Sequence, residues 1–187
     1  MSRKKKQCVN DLRLPSRQVN PGYEVSTPVS KDEYESVLQK YKKPGAKYPP
    51  LIQAICVNCR HDRYSKKDKK IYQMVENDND ILILLRGYRD KYGYIHRQDP
   101  GQCDKWKRNA LHHTMLELRN KKILQKILTV SPEIFINTLD TDGCSALQLC
   151  LDGDSPESRQ EKVLIKVLLN HPNFDPNIED YDGRHVI

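Results

Sequence analysis

The sequence lacks a long hydrophobic run: its longest unbroken aliphatic stretch is Ile81 to Leu85, five residues. A membrane-crossing helix needs about 20 apolar residues, so no spanning segment is expected. No apolar stretch follows the basic start at Arg3, Lys4, Lys5 and Lys6, so the pattern of a secretory signal is missing. Six cysteines in 187 residues are too sparse for a disulfide scaffold. Without an export pattern they read as reduced thiols of an intracellular protein, cytoplasmic or nuclear. Catalytic signatures are missing too. There is no glycine-rich phosphate loop and no G-x-S-x-G elbow, and His112-His113 is not H-E-x-x-H. The expectation is a protein that is not an enzyme and carries no cofactor.

Core-forming residues are also scarce. Leu, Ile, Val and Phe number 45 of 187, little more than a disordered chain supplies. Residues 1–50 hold 8 of them and residues 51–187 hold 37, so the core belongs to the second part. Charge is divided as well. The net charge of +7 is the balance of +11 over residues 1–110 and −4 over residues 111–187. A basic front and an acidic back could steer an acidic partner to one end, or could simply be a basic tail on a mildly acidic domain.

Residues 1–29 read as a disordered basic N-terminal segment, with Pro15, Pro21, Gly22 and Pro28 and no apolar period. Ser30 to Glu33 is a capping box that starts a helix, and Tyr34, Val37, Leu38 and Tyr41 form its apolar face. Pro44 and Gly45 end it, which gives a capping or docking helix within residues 30–47. Pro49 and Pro50 suit the first turn of a second helix. After a charged stretch from Arg60 to Lys70, Ser65 and Asp68 are candidates to cap a helix carrying Ile71, Met74 and Val75. Asp80 is a candidate cap for another, carrying Ile81, Leu82, Leu84, Leu85 and Tyr88, which Gly87 weakens. Residues 93–104 read as turns.

From Asp104 the chain repeats itself. Asp104-Lys-Trp-Lys-Arg-Asn-Ala-Leu-His112 aligns with Asp140-Thr-Asp-Gly-Cys-Ser-Ala-Leu-Gln148 at an offset of 36, and Asp140-Thr-Asp-Gly143 aligns with Asp180-Tyr-Asp-Gly183 at an offset of 40. A second helical run follows in each unit: Ile123, Leu124, Ile127 and Leu128, then Val163, Leu164, Val167, Leu168 and Leu169. Each unit closes on an asparagine, Asn137 and Asn177. A period of about 20–50 residues built of helix, helix and turn signals stacked units.

These residues resemble the ankyrin repeat. The likeness rests on Asp142-Gly143, Ser145-Ala146-Leu147-Gln148, Leu168-Leu169 and Asn177-x-x-Asp180, and on Asn109-Ala110-Leu111-His112 in the unit before. It implies an all-α fold, a short ankyrin-type helical solenoid with hairpin turns. It places two repeats and the start of a third in residues 104–187, and a degenerate, insertion-bearing repeat region in residues 48–103. The sequence departs from the family at Lys107, where glycine is expected, and at Pro132, near the end of the second helix. Leu111 and Leu147 are expected to point into the stack, and His112 to hydrogen-bond the turns between repeats. The segment Asp152–Ser158 lengthens the loop between the helices of the second unit. The last unit stops after its turn, so the chain reads as a truncated product or as a face that a partner covers. Leu149, Leu151 and Leu168 are expected near that edge, where self-association is possible.

The resemblance implies a non-catalytic protein–protein interaction module, a regulator or inhibitor of a signalling or transcription protein. The candidate contact residues are Trp106, Thr141, Asp142, Tyr181 and Asp182 at the turn tips, and His113, Leu116 and Glu117 on the concave face of an opening helix. Trp106 either anchors an interface or folds back on residues 88–95, and Leu116 could equally be core. The rival reading is a zinc-dependent or basic nucleic-acid-binding regulator. It uses Cys56-Val-Asn-Cys59, His61 and the cluster Lys66 to Lys70. No downstream C-x-x-C completes the zinc site, and Cys56 falls on the apolar face of its helix. Neither a metal nor nucleic acid is therefore the expected partner. A third reading is a docking fragment of a larger protein.

Overall fold

The computed structural model describes residues 27–42, 44–57, 78–118, 120–130, 136–151 and 159–185. Residues 1–26 of the basic arm, the Ser65–Val75 stretch, Cys59, His61, Pro132 and the Asp152–Ser158 loop lie outside them. The described residues are mostly helical, with one two-stranded antiparallel sheet.

Helix α1 spans Lys31–Tyr41 and starts as its sequence dictates: the Ser30 hydroxyl accepts a 3.2 Å hydrogen bond from the Glu33 N–H. Its face of Tyr34, Val37 and Tyr41 is buried, while the basic and acidic residues between them stay in water. Helix α2, Pro50–Val57, begins at the second of the paired prolines and buries Leu51, Ile52, Ala54 and Ile55. Helix α3, Asp78–Arg86, buries every residue from Asp80 to Leu85. Asp80 is not its cap. It lies inside the first turn, and its carboxylate reaches α1, where it accepts from the Tyr41 hydroxyl (3.0 Å) and the Lys40 ammonium (3.3 Å). Burial and this neighbouring carboxylate together push the Tyr41 phenol well above its ordinary pKa.

Tyr88 does not belong to α3. Gly87 closes the helix with φ +70, its N–H bonding the Ile83 carbonyl at 3.0 Å. A side chain there would drive its Cβ into the His96 carbonyl oxygen, so only glycine fits. The chain then forms a hairpin, β1 (Tyr88–Arg89) against β2 (Ile95–His96), with Tyr88 opposite His96. Those two rings stack at 4.8 Å. Val29 adds to the same edge, its N–H bonding the Gly87 carbonyl at 3.0 Å. Order therefore reaches into the stretch expected to be a free arm.

Helix α4, Ala110–His113, widens into a π turn over Thr114–Leu118, where the Thr114 hydroxyl donates to the Ala110 carbonyl at 2.8 Å. Helix α5, Lys121–Val130, carries the expected stripe of Ile123, Leu124, Ile127 and Leu128, all buried. Asn120 caps it by accepting from the Lys122 and Ile123 N–H groups. Helices α6 (Ala146–Leu151) and α7 (Arg159–Leu169) complete the order. Helix α2 touches α4, and α4 touches α6; α3 touches α5, and α5 touches α7. Cross-contacts join α2 to α3, α4 to α5 and α6 to α7, and α1 packs on α2 and α3. Leu111 and Leu147 are both buried among these helices, at 0% and 2% exposure. Fully burying one such leucine is worth about 1.5–3 kcal/mol.

Candidate interaction surface

One turn recurs four times. It begins at Asp90, Asp104, Asp140 and Asp180, and in each the aspartate Oδ1 accepts from the backbone N–H groups two and four residues on. These bonds run from 2.8 to 3.0 Å. The aspartate N–H also bonds the carbonyl four residues on, at 2.9 Å for Asp90, Asp104 and Asp140 and 3.0 Å for Asp180. The residue three after the aspartate takes a positive φ: Gly93, Lys107, Gly143 and Gly183 at +89, +60, +83 and +76. Glycine adopts this region freely, whereas for lysine it costs about 1–2 kcal/mol.

The second carboxylate oxygen holds a basic side chain in every copy. Asp90 takes His96 Nε2 (2.8 Å), Asp104 takes His113 Nε2 (3.1 Å), Asp140 takes Arg108 Nε (2.8 Å) and Asp180 takes Arg184 Nε (2.7 Å). The His96 contact is the main reason the Asp90 carboxyl lies below its ordinary pKa. At Asp140 burial pulls the pKa upward, but Arg108 and the N–H groups of Cys144 and Asp142 outweigh it, and the net shift is down.

The Asp104 and Asp140 turns are joined directly: the Thr141 N–H donates to the Trp106 carbonyl at 2.9 Å, and Arg108 reaches both Asp140 and Asp142. The Asp140 and Asp180 turns meet where Gly143 lies against Tyr181. Behind the turns, the helix starts repeat as well. Asn109 caps α4, accepting from the Leu111 and His112 N–H groups, while the His112 ring faces the Asn109 N–H in return. Ser145 and Gln148 make the same reciprocal box on α6, at 3.2 and 2.8 Å. Asn137 spans to the next unit, donating to the Asn173 carbonyl (2.8 Å) and accepting from the Asp175 N–H (3.1 Å).

His112 is fully buried. Burial, the dominant cause, pushes its pKa down to about 4, so the ring is neutral at physiological pH. Its Nε2 has no hydrogen-bond partner of ordinary geometry among the described residues, although the Cys144 backbone of the next turn is a favourable neighbour.

The residues singled out in the sequence divide into two groups. Thr141, Asp142, Tyr181 and Asp182 are exposed at the turns, Tyr181 at 64%. Trp106 is 36% exposed. Its ring lies 6.1 Å from the Tyr48 ring, with the Lys105 ammonium 4.0 Å above it. The second group belongs to α4 and its π turn. His113 is 6% exposed and sits between Asp104 and Cys56 rather than on an open face. Leu116 is half-buried in the π turn, and the backbone of Glu117 belongs to the same turn. Of the three leucines expected at the last edge, Leu168 is buried in the core, whereas Leu149 is half-buried and Leu151 is 38% exposed.

The sequence reading missed the Asp90 turn and its hairpin. Asp90-Lys-Tyr-Gly93 carries the same D-x-x-G signal as the later turns, but it stands only 14 residues before Asp104 and so outside the repeat offset. It also exposes Tyr92 and Tyr94, at 73% and 56%. Among the described residues no group of three or more acidic, histidine or cysteine side chains is placed to hold a metal, and no helix is long and apolar enough to cross a membrane. No protein-family model matches the chain, and no curated protein sequence matches it.

Proposed function

We propose that the chain is a non-catalytic protein-interaction module, an ankyrin-type solenoid that displays its turn tips to a protein partner and so regulates or inhibits a signalling or transcription protein. The observation that carries this reading is the repetition of one turn at Asp104, Asp140 and Asp180, with a backbone bond from Thr141 to Trp106 tying the first two together. Helices lying side by side behind the turns, α2–α4–α6 and α3–α5–α7, support a stack of helix pairs. Held in place by buried aspartates, the tips would lose little conformational freedom on binding. Trp106 and Tyr181 supply the aromatic area that commonly anchors an interface. Asp142 and Asp182, with side chains 70% and 77% exposed, supply charge beside them.

Affinity capture from cells tests the proposal, with wild type set against the Trp106→Ala/Tyr181→Ala double variant. The expected result is one protein partner retained by wild type and lost by the variant while its circular dichroism is unchanged. Partners unaffected by the double change, or nucleic acid released by salt, would overturn it.

A further inference from the structure

A nucleophile, a base and an orienting carboxylate converge between α2 and α4. The Cys56 Sγ lies 3.6 Å from Nδ1 of His113, and Nε2 of the same ring lies 3.1 Å from Asp104 Oδ2. The three residues come from three places in the sequence, so no motif announces them. The Asp104 carboxylate is fully buried and fixed by the Trp106 and Arg108 N–H groups on its other oxygen. As an acceptor it holds the imidazole proton on Nε2, which leaves Nδ1 with its lone pair toward the thiol. The Cys56 S–H therefore faces a base, and the imidazolium formed on proton transfer is stabilised by the carboxylate behind it. The Tyr48 ring packs edge-on to the imidazole at 5.8 Å and limits its rotation. Cys103 is placed otherwise: its S–H donates to the Gly101 carbonyl at 3.3 Å, and a carbonyl cannot take the proton. Cys56 belongs to no disulfide and is half-buried, so a small electrophile can reach it.

We propose that Cys56 is an activated thiol, a modification site for small electrophiles such as hydrogen peroxide, with His113 as its base and Asp104 as the positioning residue. In the reaction with peroxide the thiolate sulfur attacks one peroxide oxygen. An S–O bond forms as the O–O bond breaks; the sulfur is oxidised to sulfenic acid and the peroxide is reduced. The departing hydroxide takes the proton held on His113 and leaves as water. This chemistry does not depend on whether the turn tips bind a partner.

The test is site-resolved mass spectrometry of the full folded chain during limited iodoacetamide treatment at about neutral pH, with the half-buried Cys103 and Cys144 as internal references. Cys56 is expected to react at least tenfold faster than either reference. His113→Gln, which removes the proton acceptor, is expected to bring Cys56 to within about twofold of Cys103. Asp104→Asn can keep the turn bonds through its amide oxygen but withdraws the carboxylate, and it should slow Cys56 at least threefold. Peroxide followed by a sulfenic-acid trap should label Cys56 first. A wild-type Cys56 rate no greater than that of Cys103, or an unchanged rate in His113→Gln, would overturn the proposal. The wild-type comparison decides even if a variant fails to fold, since unfolding would accelerate all the cysteines together.

Discussion

Alanine at the positive-φ glycines gives a graded test of how the turns meet. Gly143 and Gly183 occupy the same place in successive turns, with φ of +83 and +76. At Gly183 a Cβ would meet nothing within 4 Å, so alanine there pays only for the left-handed backbone, about 1 kcal/mol. At Gly143 a Cβ would stand 2.5 Å from Tyr181 Cγ and 2.8 Å from the Tyr181 backbone nitrogen. The ring could swing aside, but the nitrogen belongs to the next turn and can move only with it. Overpacking of this kind costs a further 1–3 kcal/mol or so, giving about 2–4 kcal/mol for Gly143→Ala. Urea unfolding followed by far-ultraviolet circular dichroism reads the difference as a shift in midpoint at constant slope. Adding Tyr181→Ala relieves the ring contact and not the backbone one, so the Gly143→Ala/Tyr181→Ala pair should show a coupling of about 0.5–1 kcal/mol. If Gly143→Ala and Gly183→Ala cost the same within about 0.5 kcal/mol, the Asp140 turn does not press on the Asp180 turn and the reasoning fails.

Other perturbations follow from the same geometry. Lys107 holds a φ of +60, so Lys107→Gly should stabilise the fold by about 0.5–1 kcal/mol; a loss of stability in thermal unfolding would mean that its side chain matters more than its backbone. His112, with a folded pKa of about 4 against an ordinary 6.5, binds its proton more readily when unfolded. Its contribution is therefore complete above pH 6.5 and lost as pH falls toward 4, a drop on the order of 3 kcal/mol that denaturant titrations across this window should show and that His112→Gln should flatten. Asp80→Ala removes the acceptor shared by Tyr41 and Lys40 and should cost about 1–3 kcal/mol, with no change in the measured unfolding midpoint as the contrary result.

Local signals were the legible part of this sequence. Ser30, Pro50, Asn109 and Ser145 each start a helix because a cap or a first-turn proline needs no distant partner to act. The stripe Ile123, Leu124, Ile127 and Leu128 is buried because helical periodicity alone gathers it on one face. What escaped depends on where the chain returns. Position 87 must be glycine because the His96 carbonyl passes where a Cβ would stand, and that approach is invisible nine residues upstream. The Asp90 turn is hidden because its 14-residue spacing from Asp104 falls outside the repeat offsets of 36 and 40. The approach of Tyr48 to Trp106 is not legible either, since Tyr48 lies far before it in sequence. By sequence alone His113 belongs to an open face, and Cys56 is a buried thiol or half of a zinc site. Their meeting requires α2 and α4 to pack together, and no local pattern encodes that. The exposed tips Thr141, Asp142, Tyr181 and Asp182 were legible because a D-x-x-G turn projects its two middle residues outward whatever the turn packs on.

The Asp104 and Asp140 turns are joined by a backbone bond, the link on which the stacking of the turns depends. Residue-resolved amide hydrogen exchange at Thr141 reads that bond. Thr141 is exposed at a turn tip, yet its N–H is bonded to the Trp106 carbonyl of the preceding turn at 2.9 Å. Exchange is expected to be slowed by at least a hundredfold relative to an open loop, an opening free energy of about 2.7 kcal/mol or more, rising with global stability. Exchange at the rate of an unprotected threonine would contradict it, because the two turns would then not be joined.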